Sequence, residues 1–285
     1  MSGGDRFEGR TCLVTGSTGM AAAAAGALAA EGAAVFVVSR TPGNAERLAT
    51  SITSGGGRAA WRAADVTDEE AVESAVATCV DAFGRIDAVF NVAGISGRRF
   101  GDGPLHELTL EGWETVITAN ATSQLLVSRA VVRRMLRQER DATGLRGTIL
   151  NMSSVLARRP SPRFFATHAY AASKGAIEAF SLAAAASYAP QGIRINVIAP
   201  ALVATPMSRR AREDPSIRAY LEEKQPLTGR VIDPDDVTGT VLYLLSDDSR
   251  AVTGQVIAVD AGWSVSEPRS GERPDVLTPE DGREH

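Results

Sequence analysis

Near its N-terminus the chain reads Thr11-Cys12-Leu13-Val14-Thr15-Gly16-Ser17-Thr18-Gly19-Met20. An apolar run typical of a buried strand passes here through a turn with two glycines into an alanine-rich segment that predicts a helix. Such a junction lets backbone N–H groups approach a pyrophosphate at the helix N-terminus, where the helix dipole favours negative charge. A plain tight turn is the alternative interpretation.

The alternation of short apolar runs with longer helical patterns continues along the chain and predicts a parallel sheet. The apolar runs lack polar alternation, as expected of strands buried on both faces. The predicted strands are Thr11–Thr15, Ala34–Ser39, Ala59–Ala63, Ala88–Asn91, Gly147–Met152, Arg194–Ile198 and Gln255–Val259. The predicted helices are Ala21–Glu31, Ala45–Ser54, Asp68–Phe83, Leu110–Arg140, Tyr170–Tyr188 and Pro234–Leu245.

These elements predict one doubly wound α/β domain of about seven parallel strands with helices on both faces. We expect the domain to span residues 10–263, after an N-terminal extension over residues 1–9. Residues 264–285 contain few apolar anchors and are predicted to form a flexible C-terminal tail.

Composition excludes several classes of protein. The chain has 285 residues, 44% of them hydrophobic, and a formal net charge of -4, which suits one soluble domain and argues against nucleic acid as a partner. Cys12 and Cys79 are predicted to be buried, reduced thiols, so we expect neither a disulfide nor a metal site. No signal peptide is evident in residues 1–10, and the alanine-rich run is too short to span a membrane. We therefore expect a cytoplasmic protein.

The stretch Tyr170-Ala171-Ala172-Ser173-Lys174 places a phenol and an ammonium group four residues apart. On a helix these side chains share one face. A nearby positive charge lowers the pKa of a phenol, so Tyr170 is predicted to exchange protons near pH 7. A tyrosine and lysine paired on a solvated helix face would produce the same pattern.

Further motifs strengthen the catalytic interpretation. They are Asn91-Val92-Ala93-Gly94 after the fourth strand, Asn120 seven residues beyond Trp113, Ile149–Ser154, Ala199-Pro200-Ala201 and Val252-Thr253-Gly254-Gln255. Together with the Tyr170 motif, they resemble the classical short-chain dehydrogenase/reductase family over most of the chain. This resemblance implies a single Rossmann-type domain and hydride transfer between a nicotinamide and a carbonyl or secondary alcohol. It also implies a homo-oligomer, with a tetramer favoured over a dimer.

The resemblance also assigns roles to residues. Asn120, Ser154, Tyr170 and Lys174 match the catalytic set of the family. The residues expected to contact the cofactor are Gly16, Ser17, Thr18, Gly19, Met20, Ser39, Arg40, Asp65, Val66, Asn91, Ala93, Gly94, Tyr170, Lys174, Pro200, Val203 and Thr205.

NADP(H) is predicted to be preferred over NAD(H). NAD-selecting relatives place a carboxylate at the end of the second strand, where it repels a 2′-phosphate. This chain has Ser39-Arg40 there instead, and a guanidinium can pair with that phosphate. The alternative is a solvent-facing Arg40 without a cofactor contact.

The glycine loop departs from the family pattern, because Met20, Ala21 and Ala22 follow Gly19 where relatives carry further glycines. This departure changes the loop expected to bind the phosphates and motivates a rival hypothesis: a nucleotide-binding regulatory or scaffold protein that catalyses no reaction. A dehydratase or epimerase on the same scaffold is the second rival.

Several residues have alternative roles. Ser153 is the alternative to Ser154 as the catalytic hydroxyl. Asn91 also suits a role in fixing the neighbouring backbone, and Asn120 also suits an ordinary polar position on a helix. Thr205 suits simple helix capping before Pro206.

The segment 158–165 looks inserted beside the site, and its two phenylalanines are predicted to wall an apolar substrate or to pack against another subunit. Arginines at the carboxyl edge of the sheet suit either an anionic substrate, such as a carboxylate or a phosphopantetheine-linked acyl group, or plain solvation. They are Arg98, Arg99, Arg158, Arg163, Arg209 and Arg210.

Overall fold

Within residues 6–267, which the computed structural model describes, seven strands form one parallel sheet. The strands are β1 (Thr11–Thr15), β2 (Ala34–Ser39), β3 (Arg58–Ala63), β4 (Ala88–Asn91), β5 (Gly147–Met152), β6 (Ile193–Pro200) and β7 (Val256–Val259). Their order across the sheet is β3-β2-β1-β4-β5-β6-β7. The predicted doubly wound fold is confirmed.

Helices cover both faces of the sheet. They are α1 (Met20–Ala30), α2 (Pro42–Ser54), α3 (Glu69–Phe83), α4 (Leu110–Ile117), α5 (Ser123–Met135), α6 (Pro162–Phe165), α7 (His168–Tyr188), α8 (Arg209–Glu213), α9 (Pro215–Lys224) and α10 (Pro234–Leu245). Helices α1, α2 and α10 pack on one face around Leu28, Val35 and Val241. Helices α3, α5 and α7 pack on the other around Val76, Val131 and Ile195.

The predicted long helix Leu110–Arg140 was wrong as a single element. The structure divides it into α4 and α5 by a π-helical turn over Thr118–Thr122, and α5 ends at Met135. Apolar periodicity continues across such a turn, so the pattern hides the interruption. The short helices α6, α8 and α9 were not predicted.

The topology places a crevice at the carboxyl edge of the sheet. Strands β1 and β4 are neighbours, although β2 and β3 lie between them in the chain. The connections therefore run away from this point in opposite directions, and ligands of such sheets bind in the resulting crevice.

Parts of both predicted terminal segments belong to the packed structure. Phe7 is fully buried in the core beside α1. At the other end, the Lys224 ammonium donates to the Ser266 carbonyl oxygen at 2.7 Å. The rest of the predicted extension and tail, residues 1–5 and 268–285, lies outside the described residues.

Cys12 and Cys79 are free and buried, and burial raises the pKa of both thiols. Among residues 6–267, the structure has no helix with the length and apolar character needed to cross a membrane.

Candidate active site

The glycine loop after β1 forms the floor of a cleft at the sheet edge. Gly16 and Gly19 have φ of 95° and 56°, a region that side-chain-bearing residues rarely adopt. A Cβ on Gly19 would lie 2.9 Å from Cγ2 of Thr205. Gly19 supplies no side-chain cap to α1, and the first turn of α1 contains no acid. The helix dipole there is available to an anion, so the irregular loop still fits a pyrophosphate.

The cleft has a volume of about 270 Å³. Predicted cofactor residues make up much of its lining, namely Gly16, Ser17, Thr18, Met20, Ser39, Arg40, Asp65, Val66, Ala93, Gly94 and Thr205. Thr41, Asn44 and Thr67 also line it and were missed, because nothing in the sequence marks which loop residues turn inward. The residues present therefore fit an extended nucleotide.

The outer end of the cleft is polar. The hydroxyls of Ser17 and Ser39 are hydrogen-bonded at 2.9 Å. The Arg40 guanidinium lies 4.0 Å from the Asp65 carboxylate, and both side chains are largely exposed. Burial acts to raise the pKa of Asp65, but hydrogen bonds from Thr67 and the charge of Arg40 outweigh it and hold that pKa below its ordinary value. An exposed ion pair with this separation contributes little to stability, so the Arg40 side chain can turn toward a ligand.

Asn91 does not line the cleft. Its amide donates to the Gln124 carbonyl oxygen at 3.0 Å and to Asn151 Oδ1 at 3.1 Å, and its oxygen accepts from Thr15 Oγ1 at 3.1 Å. These bonds brace β1, β4 and β5, so Asn91 has the backbone-fixing role that the sequence left open. Of the other predicted cofactor residues, Tyr170 and Val203 line a neighbouring cavity, whereas Gly19, Lys174 and Pro200 line neither.

A buried carboxylate caps the helix that carries Tyr170. The backbone N–H groups of Ala169 and Tyr170 donate to Asp102 at 3.0 and 2.9 Å. Asp102 is 4% exposed and comes from the loop after β4. A negative charge at a helix N-terminus is favourable, and this one fixes the backbone of Tyr170. Asp102 was not predicted from the sequence, because local patterns do not reveal a capping residue that lies far from its helix in the chain.

Tyr170 and Lys174 lie one helical turn apart, as their spacing predicts. The Lys174 ammonium lies 5.6 Å from the centre of the Tyr170 ring and donates to the Met152 carbonyl oxygen at 2.9 Å. Burial lowers the pKa of Lys174 to about 7. Burial also raises the pKa of Tyr170, which the Ser154 hydroxyl partly opposes. The expected lowering of the phenol pKa by Lys174 is therefore corrected: desolvation dominates, and a lysine partly neutral at pH 7 supplies less charge.

The π-helical turn carries Asn120 into the site. The Asn120 side chain accepts from the Ile95 N–H at 2.8 Å and donates to the Ile95 carbonyl oxygen and to Ser173 Oγ, each at 3.1 Å. A Cβ on Gly94 would meet Asn120 Oδ1 at 2.6 Å and the Lys174 ammonium at 3.7 Å. Glycine at position 94 thus lets the Asn120 side chain lie against the backbone there, close to the Lys174 ammonium, and π-turns often occur at functional sites.

Ser153 and Ser154 point to different surroundings. The Ser153 hydroxyl is buried and donates to Glu178 Oε1 at 2.8 Å and to the Lys174 carbonyl oxygen at 3.1 Å. Ser154 lines the same cavity as Tyr170. Ser153 is therefore occupied in packing α7 against β5, which leaves Ser154 as the available hydroxyl.

That second cavity has a volume of about 300 Å³ and adjoins the cleft through Met20, Thr205 and Met207, which line both. Its walls are mainly apolar, with Val155, Leu156, Phe165, Ala201, Leu202, Val203, Ala211 and Trp263. Of the two predicted phenylalanines, Phe165 lines the cavity, whereas Phe164 packs against Tyr220 in a tilted arrangement with ring centres 5.3 Å apart.

Thr205 lies beside the cleft and also begins a helical turn, so helix capping and a place at the cleft are compatible. It lines both spaces, and it also begins a short helical turn in which its N–H donates to the Ser208 hydroxyl at 3.0 Å. Capping therefore positions Thr205 beside the cleft and does not remove it from the site.

Comparison with known proteins identifies the family of this chain. The family model described as "Enoyl-(Acyl carrier protein) reductase" matches residues 14–264. The short-chain reductase protein NovJ of Streptomyces niveus is 38% identical over 88% of this chain and 92% of its own length. The cis-4-hydroxycyclohexanecarboxylate dehydrogenase of Sinomonas cyclohexanicum is 34% identical over 92% of this chain and 99% of its own.

Similarity extends to solved structures. A short-chain type dehydrogenase/reductase from Mycobacterium ulcerans superposes with a TM-score of 0.83 and 29% identity, covering 91% of each chain. Sequence and fold thus both match this family over nearly the whole described chain. The chain belongs to the short-chain dehydrogenase/reductase family and is a nicotinamide-dependent oxidoreductase.

Proposed function

We propose that the protein interconverts a carbonyl compound and a secondary alcohol, with Tyr170 as acid and base and NADP(H) as the preferred cofactor. One observation carries this proposal: Ser154 and Tyr170 line a single apolar cavity that adjoins the nucleotide cleft. When bound, the nicotinamide supplies or accepts the hydride. The chain's own residues hold the reacting oxygen and move the proton.

In the reducing direction, the Ser154 hydroxyl donates a hydrogen bond to the carbonyl oxygen and orients it. As the carbonyl carbon gains the hydride, its oxygen becomes an alkoxide and takes the proton from the Tyr170 hydroxyl. The raised pKa of Tyr170 keeps the phenol protonated at neutral pH, which the donor role requires. The resulting phenolate then recovers its proton through the neighbouring ammonium.

Lys174 suits that return of the proton. Its pKa of about 7 means that it both holds and releases a proton near neutrality, and its ammonium lies beside the Tyr170 ring. Asn120 holds the loop after β4 against α7 through Ile95 and Ser173. We propose that Asn120 also anchors a water that links Lys174 to solvent.

The preference for NADP(H) rests on the polar end of the cleft. Ser39 ends β2 without a charge, and Arg40 lies beside it with most of its side chain exposed. A guanidinium pairs well with a 2′-phosphate, whereas a carboxylate at this position would repel it.

We also propose a homo-oligomer, with a tetramer favoured over a dimer, that works in the cytoplasm. Leu110, Trp113, Leu125 and Leu182 on α4, α5 and α7 are large apolar residues exposed in the isolated chain, which supports an interface there. Light scattering at micromolar concentration is expected to give a multimer, and a monomeric mass would contradict the proposal.

The function is tested by following cofactor absorbance with a panel of ketones and secondary alcohols. Tyr170→Phe removes one oxygen and keeps the ring, so turnover is expected to fall at least ~100-fold with the fold intact. Undiminished turnover in this variant would exclude Tyr170 as the acid. Absence of net cofactor oxidation with every carbonyl compound would favour the scaffold or epimerase hypotheses.

A further inference from the structure

Three arginines at the rim give the substrate cavity a positive charge. Arg98 and Arg99 come from the loop after β4, and Arg210 comes from α8. No aspartate or glutamate lines this cavity, and within residues 6–267 none of the three arginines forms an ion pair. The chain as a whole has a formal net charge of -4, so the cavity contrasts with the protein around it.

Arg98 is held in place at this rim. Its guanidinium donates to the Phe164 carbonyl oxygen, which ties the loop after β4 to the inserted segment. Burial and the charge of Arg210 lower the pKa of Arg98, and Asp102 partly opposes them. Two like charges that share one space repel each other, and an anion between them would relieve that repulsion.

The other arginines predicted at this edge are engaged elsewhere or lie outside the cavity. Arg158 pairs with the buried Glu178 carboxylate, and Arg163 stacks over the Phe164 ring at 5.1 Å. Arg209 is exposed and does not line the cavity. The structure thus separates the arginines that line the cavity from the solvated and structural ones, which the sequence could not do.

Part of the cavity wall is aromatic, formed by Phe165 and Trp263. Trp263 is 1% exposed and stacks edge-on against Phe165 and Tyr220, with ring centres 5.8 and 6.0 Å away. Such a wall suits a flat apolar group. Ser154 and Tyr170 line the same cavity as this wall and the three arginines, so one small molecule can contact all of them.

We propose that the substrate is a small molecule with an apolar body and an anionic group, such as a carboxylate, that Arg98 and Arg210 bind. Its carbonyl or alcohol carbon lies toward Ser154 and Tyr170. This inference rests on the proposed function, which it deepens by naming the substrate class.

Calorimetry with the full-length protein and saturating cofactor tests the anion site without turnover. Benzoate and benzamide are matched, redox-inert probes that differ in charge. We expect benzoate to bind at least ~10-fold more tightly, and R98Q or R210Q to weaken benzoate about tenfold while hardly affecting benzamide. R209Q is the matched control and is expected to bind both probes as the wild type does. Equal affinity for the two probes in the wild-type protein would overturn the inference.

Turnover of 4-acetylbenzoate and 4-acetylbenzamide provides the second measurement. R210Q is expected to raise the KM for the acid about tenfold more than that for the amide. If the wild-type protein reduces both equally well, this inference fails and the proposed function stands. If it reduces no carbonyl compound, the proposed function fails, and the benzoate measurement alone decides the anion site. Binding of a pantetheine thioester without any binding of benzoate would also overturn the inference.

Discussion

Replacing Lys174 with methionine is expected to stabilise the fold while abolishing turnover. Lys174 is 3% exposed, and burial lowers its pKa from the ordinary 10.5 to about 7. In the unfolded chain the ammonium is hydrated and keeps its ordinary pKa, so the unfolded state holds this proton more tightly than the folded state. Lys174 therefore lowers the free energy of unfolding at neutral pH.

The magnitude and the pH window follow from the two pKa values. A pKa difference between 10.5 and about 7 corresponds to roughly 5 kcal/mol, as an order of magnitude. This cost is present in full below pH 7, shrinks between pH 7 and 10.5 because folding there releases a proton, and vanishes above 10.5. Methionine keeps an apolar stem of similar length. The Met152 carbonyl oxygen, which loses its bond from Lys174, still accepts from Gln124 Nε2 at 3.0 Å.

Urea unfolding of both proteins between pH 7 and 10.5 measures this effect. We expect Lys174→Met to be more stable at pH 7 by about 2–5 kcal/mol, with the difference decreasing toward the upper end of the range. Lys224→Met is the control: Lys224, the chain's other lysine, is partly exposed and lies 5.6 Å from the Trp263 ring centre, so its loss is expected to destabilise the protein. A Lys174→Met variant that is less stable at pH 7, or whose advantage does not change with pH, would refute the reasoning.

Three further substitutions test other parts of the site. Asp102→Ala removes the buried acceptor of two α7 N–H groups, so we expect about 2 kcal/mol less stability and slower turnover. Urea unfolding measures the change in stability, and wild-type stability would show that the cap is dispensable. Gly19→Ala places a methyl group against Thr205 and requires an alanine with a positive φ, so the Kd for the cofactor is expected to rise at least ~10-fold in fluorescence titrations. An unchanged Kd would count against the assignment of this loop to the cofactor. Arg40→Ala is expected to weaken NADPH about tenfold and leave NADH unchanged, whereas equal losses would show that Arg40 does not select the cofactor.

Strand positions and the fold class were predictable because both depend on local pattern. Strands β1, β2, β4 and β5 have the predicted bounds, since each is an apolar run that ends at a turn or a polar residue. The helix division at Thr118–Thr122 was not predictable in the same way. A π-turn changes the backbone path by one residue without interrupting the apolar pattern.

Many of the residues that line the cleft and the cavity were predicted from the sequence, but the directions of their pKa shifts were not. Spacing placed Tyr170 and Lys174 on one helix face, and the structure agrees. Whether the pKa of Tyr170 is raised or lowered depends on how completely the phenol is buried, which is a property of the whole fold. The same limit applies to Asp102, which caps α7 from a loop that meets the helix only in three dimensions, and to Arg210 of α8, whose place at the cavity depends on the whole fold.

Transfer of deuterium from NADPH labelled at the nicotinamide C4 tests the central claim most directly. With a ketone substrate, mass spectrometry is expected to find one deuterium at the carbinol carbon of the product for each cofactor oxidised, and Tyr170→Phe is expected to slow its appearance at least ~100-fold. If neither C4 face of the nicotinamide, each labelled in turn, gave deuterated product, the account would be contradicted. Undiminished transfer by the Tyr170→Phe variant would also contradict it.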